Sequence, residues 1–326
     1  RDLRMSRGLG DVYKRQTFTT KLNHDRQMRK SIAIIITSIL VLSGCNKQQS
    51  VSDRLLNEVE KAIAINPDSA SNLLKSISSP EKLDDKAFAR WCMLSGKITD
   101  EIFNSILPTY QLERAYDWYS SHGSPDEQVQ ILIYLGRSYF ADGDYDKAMS
   151  IYTNALDIAG KNKLNNLIGY TYDYIGDLYR EKFMRTEAIK RYEIAAEYFK
   201  KEKNTDSYAC ALRDIGREYA QMDSLSHALN ILIIADSVAA NTSNINVTAS
   251  INNALGNIYS MQNKYDKAEE YLLKALLTGR EKMPDYVALI DLYTASNSIN
   301  KAKELLSKIP QDTPPVSYTH LTLPTK

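Results

Sequence analysis

The chain has 326 residues, with 41 Lys/Arg against 40 Asp/Glu and a formal net charge of +1. That balance misleads: residues 1–44 and 316–326, set aside below, hold ten of the basic and three of the acidic residues, so the remainder carries a net charge of −6. A mildly acidic body argues against nucleic acid and anionic lipid as partners, and the roughly 270 residues left suffice for a core built repeat by repeat.

Both ends read as non-native. Asp11-Val-Tyr-Lys-Arg-Gln16 back-translates to GAT GTG TAT AAG AGA CAG. The reverse complement, read from its third base, encodes Val316-Ser-Tyr-Thr-His320. One DNA element read in opposite orientations explains both, and it resembles the transposase end used to fragment DNA. Residues 1–27 are expected to be adaptor- and leader-derived and disordered, and residues 311–326 a truncated end with an adaptor-derived tail.

Met28-Arg29-Lys30 places two positive charges before the apolar run Ile32–Leu42. A span takes about 20 residues, so the run is too short to cross a bilayer but fits a signal-peptide core. It ends in Leu42-Ser43-Gly44-Cys45, which resembles the lipobox of bacterial lipoproteins. The resemblance implies a signal peptide over 28–44, cleavage before Cys45 and lipidation of its thiol. The alternative is an uncleaved anchor with an incidental cysteine. Two or more acyl chains hold a protein on a membrane where one does not. Asn46 follows the cysteine and acidic residues are absent before Asp53, which by analogy with other lipoproteins favours the periplasmic face of the outer membrane. Surface display stays open.

Residues 45–53 read as a tether. Residues 54–125 read as divergent helix pairs. Leu55, Val59, Ala62 and Ile63 mark one apolar face, and Asn66-Pro67-Asp68 restarts the chain. Ala70, Leu73 and Leu74 mark a second helix. Phe88, Trp91, Leu94 and Ile98 form the stripe of a helix over 84–100, and Leu112, Ala115, Tyr116 and Tyr119 that of one over 109–121. Ser121-His122-Gly123-Ser124-Pro125 is the clearest break in the chain.

From 126 to 310 one pattern recurs. Gly136, Gly176, Gly216 and Gly256 are 40 apart. Each is followed at fixed offsets by a tyrosine (Tyr139, Tyr179, Tyr219, Tyr259) and by two alanines (Ala148 and Ala155 in the first copy). A fifth copy keeps Tyr293 and Ala302 with Ile290 at the glycine position. A fixed interval in this range signals a solenoid. Leu132, Leu135-Gly136, Tyr139, Ala148, Tyr152 and Ala155 resemble the tetratricopeptide repeat (TPR) signature at every offset. The resemblance implies an all-α, right-handed superhelix of antiparallel helix pairs, here with five repeats. The usual period is about 34 residues; the extra six are expected to lengthen helices rather than a loop. In the N-terminal part Trp91 and Leu94 have the family's first signature spacing, with Ser95 in place of its glycine. Cys92 and Cys210 would then lie some three helix pairs apart, too far for a disulfide, and both are expected to be free core residues.

Catalytic chemistry is not expected. His122 and His227 are distant in repeat order, Cys/His metal spacing is lacking, and the repeated glycines sit inside helices rather than in a phosphate loop. No cofactor, metal or catalytic residue is expected. The resemblance instead implies a protein or peptide ligand on the groove face of the first helix of each pair: Ile133 and Arg137, Asp173 and Asp177, Arg213 and Arg217, Asn253 and Asn257. Each pair is spaced i, i+4 and shares a helix face. Arginine offers a donor fork for carboxylate and asparagine can satisfy a peptide backbone, so Arg213, Arg217, Asn253 and Asn257 are candidates to hold an acidic or C-terminal segment. The competing reading pairs Arg213 and Arg217 with Asp173 and Asp177. Asp68-Ser69-Ala70, Asp223-Ser224-Leu225 and Asp236-Ser237-Val238 match a tripeptide glycosylated in some Gram-negative envelopes; the first two read alternatively as helix N-caps.

The expected role is a membrane-anchored scaffold binding a polypeptide in the bacterial envelope. The alternative is the N-terminal sensory region of a longer, truncated signalling regulator. A glycan-capturing lipoprotein is a third class, disfavoured by short loops.

Overall fold

In the computed structural model, residues 52–102, 106–280 and 282–309 are described. The leader, Cys45, most of the tether and both end segments lie outside them. Among the described residues every regular element is helical. The described residues fall into two compact units, one ending at Trp91 and the other beginning at Cys92. The first holds α1 (52–63), α2 (Pro67–Lys75), a 3-10 turn (Pro80–Lys82) and the start of α3 (Asp85–Ile102). Pro67 opens α2, and the Asn66 side chain accepts a hydrogen bond from the Ser69 N–H at 3.0 Å, satisfying one of the donors a helix start leaves free.

The second unit continues from α3 through α4 (Thr109–His122), α5 (Pro125–Ala141), α6 (Tyr145–Asn162), α7 (Asn165–Glu181), α8 (Arg185–Lys201), α9 (Thr205–Gln221), α10 (Leu225–Ala239), α11 (Ile245–Met261), α12 (Tyr265–Thr278), α13 (Met283–Ala295) and α14 (Ile299–Ser307). Odd-numbered helices from α5 on are the first members (A) of their pairs, even-numbered the second (B). The helices α5, α7, α9 and α11 each have 17 residues and begin 40 apart. The extra length of the repeat has gone into helix, as expected.

Each A–B turn is closed by the tyrosine of the repeat through its backbone. The N–H groups of Asp144, Met184, Ser224, Lys264 and Ser298 donate to the carbonyls of Tyr139, Tyr179, Tyr219, Tyr259 and Tyr293 at 2.7–2.9 Å. This closure needs one left-handed residue just before the donor. Gly143 fills it without strain at φ 79°, whereas Phe183 is forced to φ 57°. Asp223, Asn263 and Asn297 take the same conformation.

Within a pair, the glycine admits a large side chain of helix B. A Cβ on Gly136 would lie 2.2 Å from Tyr152 Cε1, and one on Gly176 would lie 2.5 Å from Tyr192 Cε1. At Gly216 and Gly256 the facing residues are Leu232 and Leu272. All four side chains are buried, each contributing about 1.5–3 kcal/mol of apolar burial.

The glycine ladder starts one pair earlier than the Trp91-Leu94-Ser95 register implied. Gly96 lies 40 residues before Gly136, but a Cβ there would fall 2.3 Å from Tyr134 Cε2 on the next A helix, α5, and not on a residue of its own helix B. Leu112 and Ala115 stand at the offsets of Tyr152 and Ala155 and are buried. The 40-residue spacing therefore extends to α3–α4 in the register of Gly96 rather than Ser95, with a different packing partner at the glycine.

Helix α5 packs on α7, α9 on α11 and α11 on α13, while successive B helices do not approach one another comparably. Tighter spacing in the A layer than in the B layer curves this unit toward the A side, which is its inner face.

Candidate functional site

The inner face is built from the A helices, and the eight candidate residues fall on it in unequal states. Ile133 is 5% exposed and packs with Val129, Leu132, Ala155 and Ile168. Asn253 is 6% exposed and its Nδ2 donates to Asp285 Oδ1 at 2.7 Å. These two are covered by the chain itself, so the expectation that they present to a ligand is corrected. The neighbouring A helix closes over both. Asn257 remains half-buried, its Nδ2 donating to Asn253 Oδ1 at 2.9 Å.

Arg137 is held in place. Its guanidinium pairs with Asp100 and lies over the rings of Tyr134 and Tyr174, 6.0 and 5.2 Å from their centroids. The Tyr134 hydroxyl donates to the same carboxylate at 3.0 Å. A planar cation between aromatic faces and a carboxylate is well satisfied.

The centre of the face differs. Helices α7 and α9 stand farther apart than α5/α7 or α9/α11, and α9 instead packs extensively along α8. Alanines permit that close approach: Ala195 and Ala196 of α8 and Ala211 of α9 share one cluster with Phe199. A group of charged side chains occupies the space between α7 and α9. Arg213 forms a two-pronged pair with Asp214, Nη2 to Oδ2 at 2.6 Å and Nε to Oδ1 at 3.0 Å, and its Nη1 donates to Ser250 Oγ at 2.9 Å. Arg217 reaches Asp214 Oδ1 at 3.3 Å and is 41% exposed. Asp177 pairs with Arg180 at 2.8 Å and accepts from the Tyr192 hydroxyl at 2.7 Å. The ion pairs of Arg213 and Arg217 thus run to Asp214 of their own helix, not to Asp173 and Asp177.

Asp173 is the exception in this network: its Oδ1 is buried and has no hydrogen-bond partner. Burial, with repulsion from Asp177 and Asp214, pushes its pKa well above the carboxylate range. Burial also raises Asp177, reinforced by Asp214 and opposed by Arg180. For Asp214 burial acts upward, but Arg213, Arg217 and Arg180 together outweigh it and the net shift is down. Burial and the neighbouring Arg213 bring Arg217 down to about 10. Arg217 is the least compensated cation of the group.

Sequence reasoning missed Asp214, Arg180 and Tyr192. Asp214 was findable: in the 40-residue alignment its column otherwise holds Tyr134, Tyr174 and Ala254. An acid in a column of buried residues implies a paired charge.

The Cys92 thiol is pushed up to about 12 by burial, burial also raises Cys210, and both are free. His122 stacks on Trp118 and His227 on Tyr219. Among the described residues, groups of three or more His, Cys, Asp or Glu placed to hold a metal are absent, and no helix is long and apolar enough to cross a membrane.

Two stretches of the chain, 132–165 and 248–283, match tetratricopeptide repeat families. Over 91 residues, 27% of the chain, it is 32% identical to the Photosystem I assembly protein Ycf3 of Rippkaea orientalis, spanning about half (52%) of that protein's length. Among solved structures it is similar to a Rap protein complexed with competence and sporulation factor (TM-score 0.68, 18% identity, 80% of this chain and 75% of that one). It is also similar to BtubC from P. vanneervenii (0.53, 18%, 61% and 87%) and to the apo form of the quorum sensor NprR from B. thuringiensis (0.51, 15%, 80% and 75%). At these identities the structural likeness concerns the fold. The chain carries tetratricopeptide repeats arranged as an all-α solenoid.

Proposed function

We propose that this protein is a scaffold whose A-helix face binds a protein or peptide partner. The observation carrying the reading is the incompletely satisfied polar surface between α7 and α9, where Arg217 and Asp173 face a gap in an otherwise closely packed layer. A preformed surface of stacked repeats loses little ordering entropy on association. In favour of the same reading, the similar Rap protein was solved in complex with competence and sporulation factor.

The setting belongs to the proposal as well. The scaffold is set in the bacterial envelope, lipid-anchored through Cys45 at the periplasmic face of the outer membrane, and the Leu42–Cys45 sequence is what supports this. Palmitate labelling tests this: incorporation is expected in the wild type and lost in Cys45→Ser, and equal labelling of both would remove the anchor. Partner binding is tested by recovery from detergent-solubilised envelope with wild type and the Arg217→Ala/Asn257→Ala variant. The variant is expected to lose a partner that the wild type retains, and identical recovery would refute a groove-bound ligand. The second reading, a sensory region of a longer regulator, has the likeness to NprR in its favour. An uninterrupted gene encoding a further apolar run of about 20 residues would select it.

A further inference from the structure

We propose that the outer surface of α10 is the seam of a homodimer, where the B-helix face of one copy meets the same face of a second copy and both inner faces point away from the contact. This goes beyond the scaffold reading and does not depend on what the inner face binds.

The exposed side of α10 differs from that of α6, α8, α12 and α14. It presents Ser226, His227, Asn230, Ile233, Ile234 and Ser237, with no carboxylate, lysine or arginine among them. The one acid of the helix, Asp236, is half-buried and lies near Tyr271 and Lys274 of α12. In the 40-residue alignment the same positions hold Glu187, Lys190, Glu193 and Glu197 on α8, and Lys267, Glu270 and Lys274 on α12. Ile233 and Ile234 are each 51% exposed, and on α12 Leu273 and Leu277 are exposed as well. Thr153 and Glu193 stand at the position of Ile233 in the two preceding copies, so stacking of the repeats does not require isoleucine there. Adjacent exposed isoleucines on an uncharged helix face mark a contact.

Charge and area select a second copy as the occupant. A two-fold contact sets each patch against itself, so a net charge on the patch repels its own image; α10 avoids this. One helix is too little surface, since a stable interface takes about 800 Å² from each partner, so α8 and α12 must join. A two-fold axis crossing α10 between Ile233 and Ile234 fixes what their side chains meet. With the two α10 helices parallel, Glu187 and Lys190 face Lys267 and Glu270 of the second copy; with them antiparallel, they face Lys200 and Glu197. Opposite charges meet in both directions. The outer face is convex, so the flanking helices draw apart on either side of the seam, and long lysine and glutamate side chains suit that wider gap. Their present pairs, Lys190 with Glu187 and Lys274 with Glu270 at 2.7 Å, are exposed and lie within one helix. Such pairs stabilise little and can be exchanged.

The test is sedimentation velocity of the full chain in detergent over a wide range of concentration. A concentration-dependent dimer is expected. Ile233→Glu should weaken it roughly tenfold or more, because the substitution acts twice across the axis. Glu193 holds the same position on α8, so the helix tolerates the change, and an unchanged melting curve confirms the fold. Lys190→Glu, which sets acid against acid in either direction, should also weaken the dimer. Copper–phenanthroline oxidation gives a second readout. Ser237→Cys, alone if the helices are parallel or mixed with Asn230→Cys if antiparallel, should cross-link well above Asp157→Cys, its counterpart on α6. A monomer at every concentration, the same dimer fraction in Ile233→Glu, or equal cross-linking through Asp157→Cys overturns the proposal. A monomer that binds phosphatidylcholine vesicles and loses them in Ile233→Glu also overturns it and assigns the seam to lipid.

Discussion

A single substitution, Gly→Ala, should change sign with position along this chain. At Gly136 the new Cβ would lie 2.2, 2.7 and 2.8 Å from three atoms of the Tyr152 ring. Tyr152 is 1% exposed, so the ring has nowhere to retreat and must move by more than an ångström, or helices α5 and α6 must part. Overpacking of this kind costs about 1–3 kcal/mol, against a helix-propensity gain of up to about 1 kcal/mol. The clash takes the upper half of that range, so the net expectation is a loss of about 1–2 kcal/mol. Gly160 sits in the last turn of α6, exposed, with nothing within 4 Å of the Cβ position. There only the propensity acts, and Gly160→Ala should stabilise by up to about 1 kcal/mol. Gly256→Ala falls between, because its nearest contact, 2.6 Å to Leu272 Cγ, is less severe than the 2.2 Å at Gly136. Urea unfolding followed by circular dichroism ranks the three variants. Hydrogen exchange in α5 and α6 locates the loss, since stacked repeats open locally. If Gly136→Ala proved as stable as the wild type, the close-approach explanation of the 40-residue glycine ladder would be wrong.

Three further outcomes follow from the same coordinates. Lys163 caps α6 in the left-handed region at φ 57° with its side chain exposed, so Lys163→Gly should stabilise by about 1 kcal/mol in thermal unfolding. Arg213→Ala strands the largely buried Asp214 with only the 3.3 Å contact to Arg217; a loss of about 3 kcal/mol is expected, with much of it recovered in Arg213→Met/Asp214→Leu, and additive losses in the double variant would contradict a coupled pair. Asp173 has a raised folded pKa, so its contribution to stability is complete below its unfolded pKa of about 4 and is lost as pH rises through the folded value. The melting temperature of the wild type should therefore fall relative to Asp173→Asn as pH is raised, and parallel pH profiles would show that Asp173 ionises freely.

The repeat was legible because its constraints are local and steric. A helix crossing that admits Tyr152 or Tyr192 tolerates only glycine opposite, and a turn closed on the Tyr139 carbonyl fixes the loop length. Such constraints recur in every copy and leave a visible period. The α3–α4 helices were legible but read one residue out of register, because the period survives there only in Gly96, Leu112 and Ala115, with Thr99 where later copies have tyrosine. Adjacent Ser95 and the Trp91-Leu94 spacing pointed to a register one residue away.

The groove was less legible, for a reason visible in Ile133, Asp173, Arg213 and Asn253. These four occupy one position in successive copies, yet Ile133 and Asn253 are buried and the other two are half-buried. Arg213 is half-buried although α9 packs closely on α11, but at Ile133, Asp173 and Asn253 exposure follows the spacing between A helices, close at α5/α7 and α11/α13 and wide at α7/α9. That spacing is set from behind, by the alanines that let α9 lie along α8. Small residues on the outer side thus open the inner side, and the charged side chains fill an opening they did not create. Enlarging Ala196 or Ala211 should consequently alter the groove without touching it: pushing α9 away from α8 narrows the α7–α9 gap. Arg217, 41% exposed in the wild type, would then lose access, read as slower modification by an arginine-selective dicarbonyl. Unchanged modification in a folded Ala211→Leu variant would separate the gap from the packing behind it.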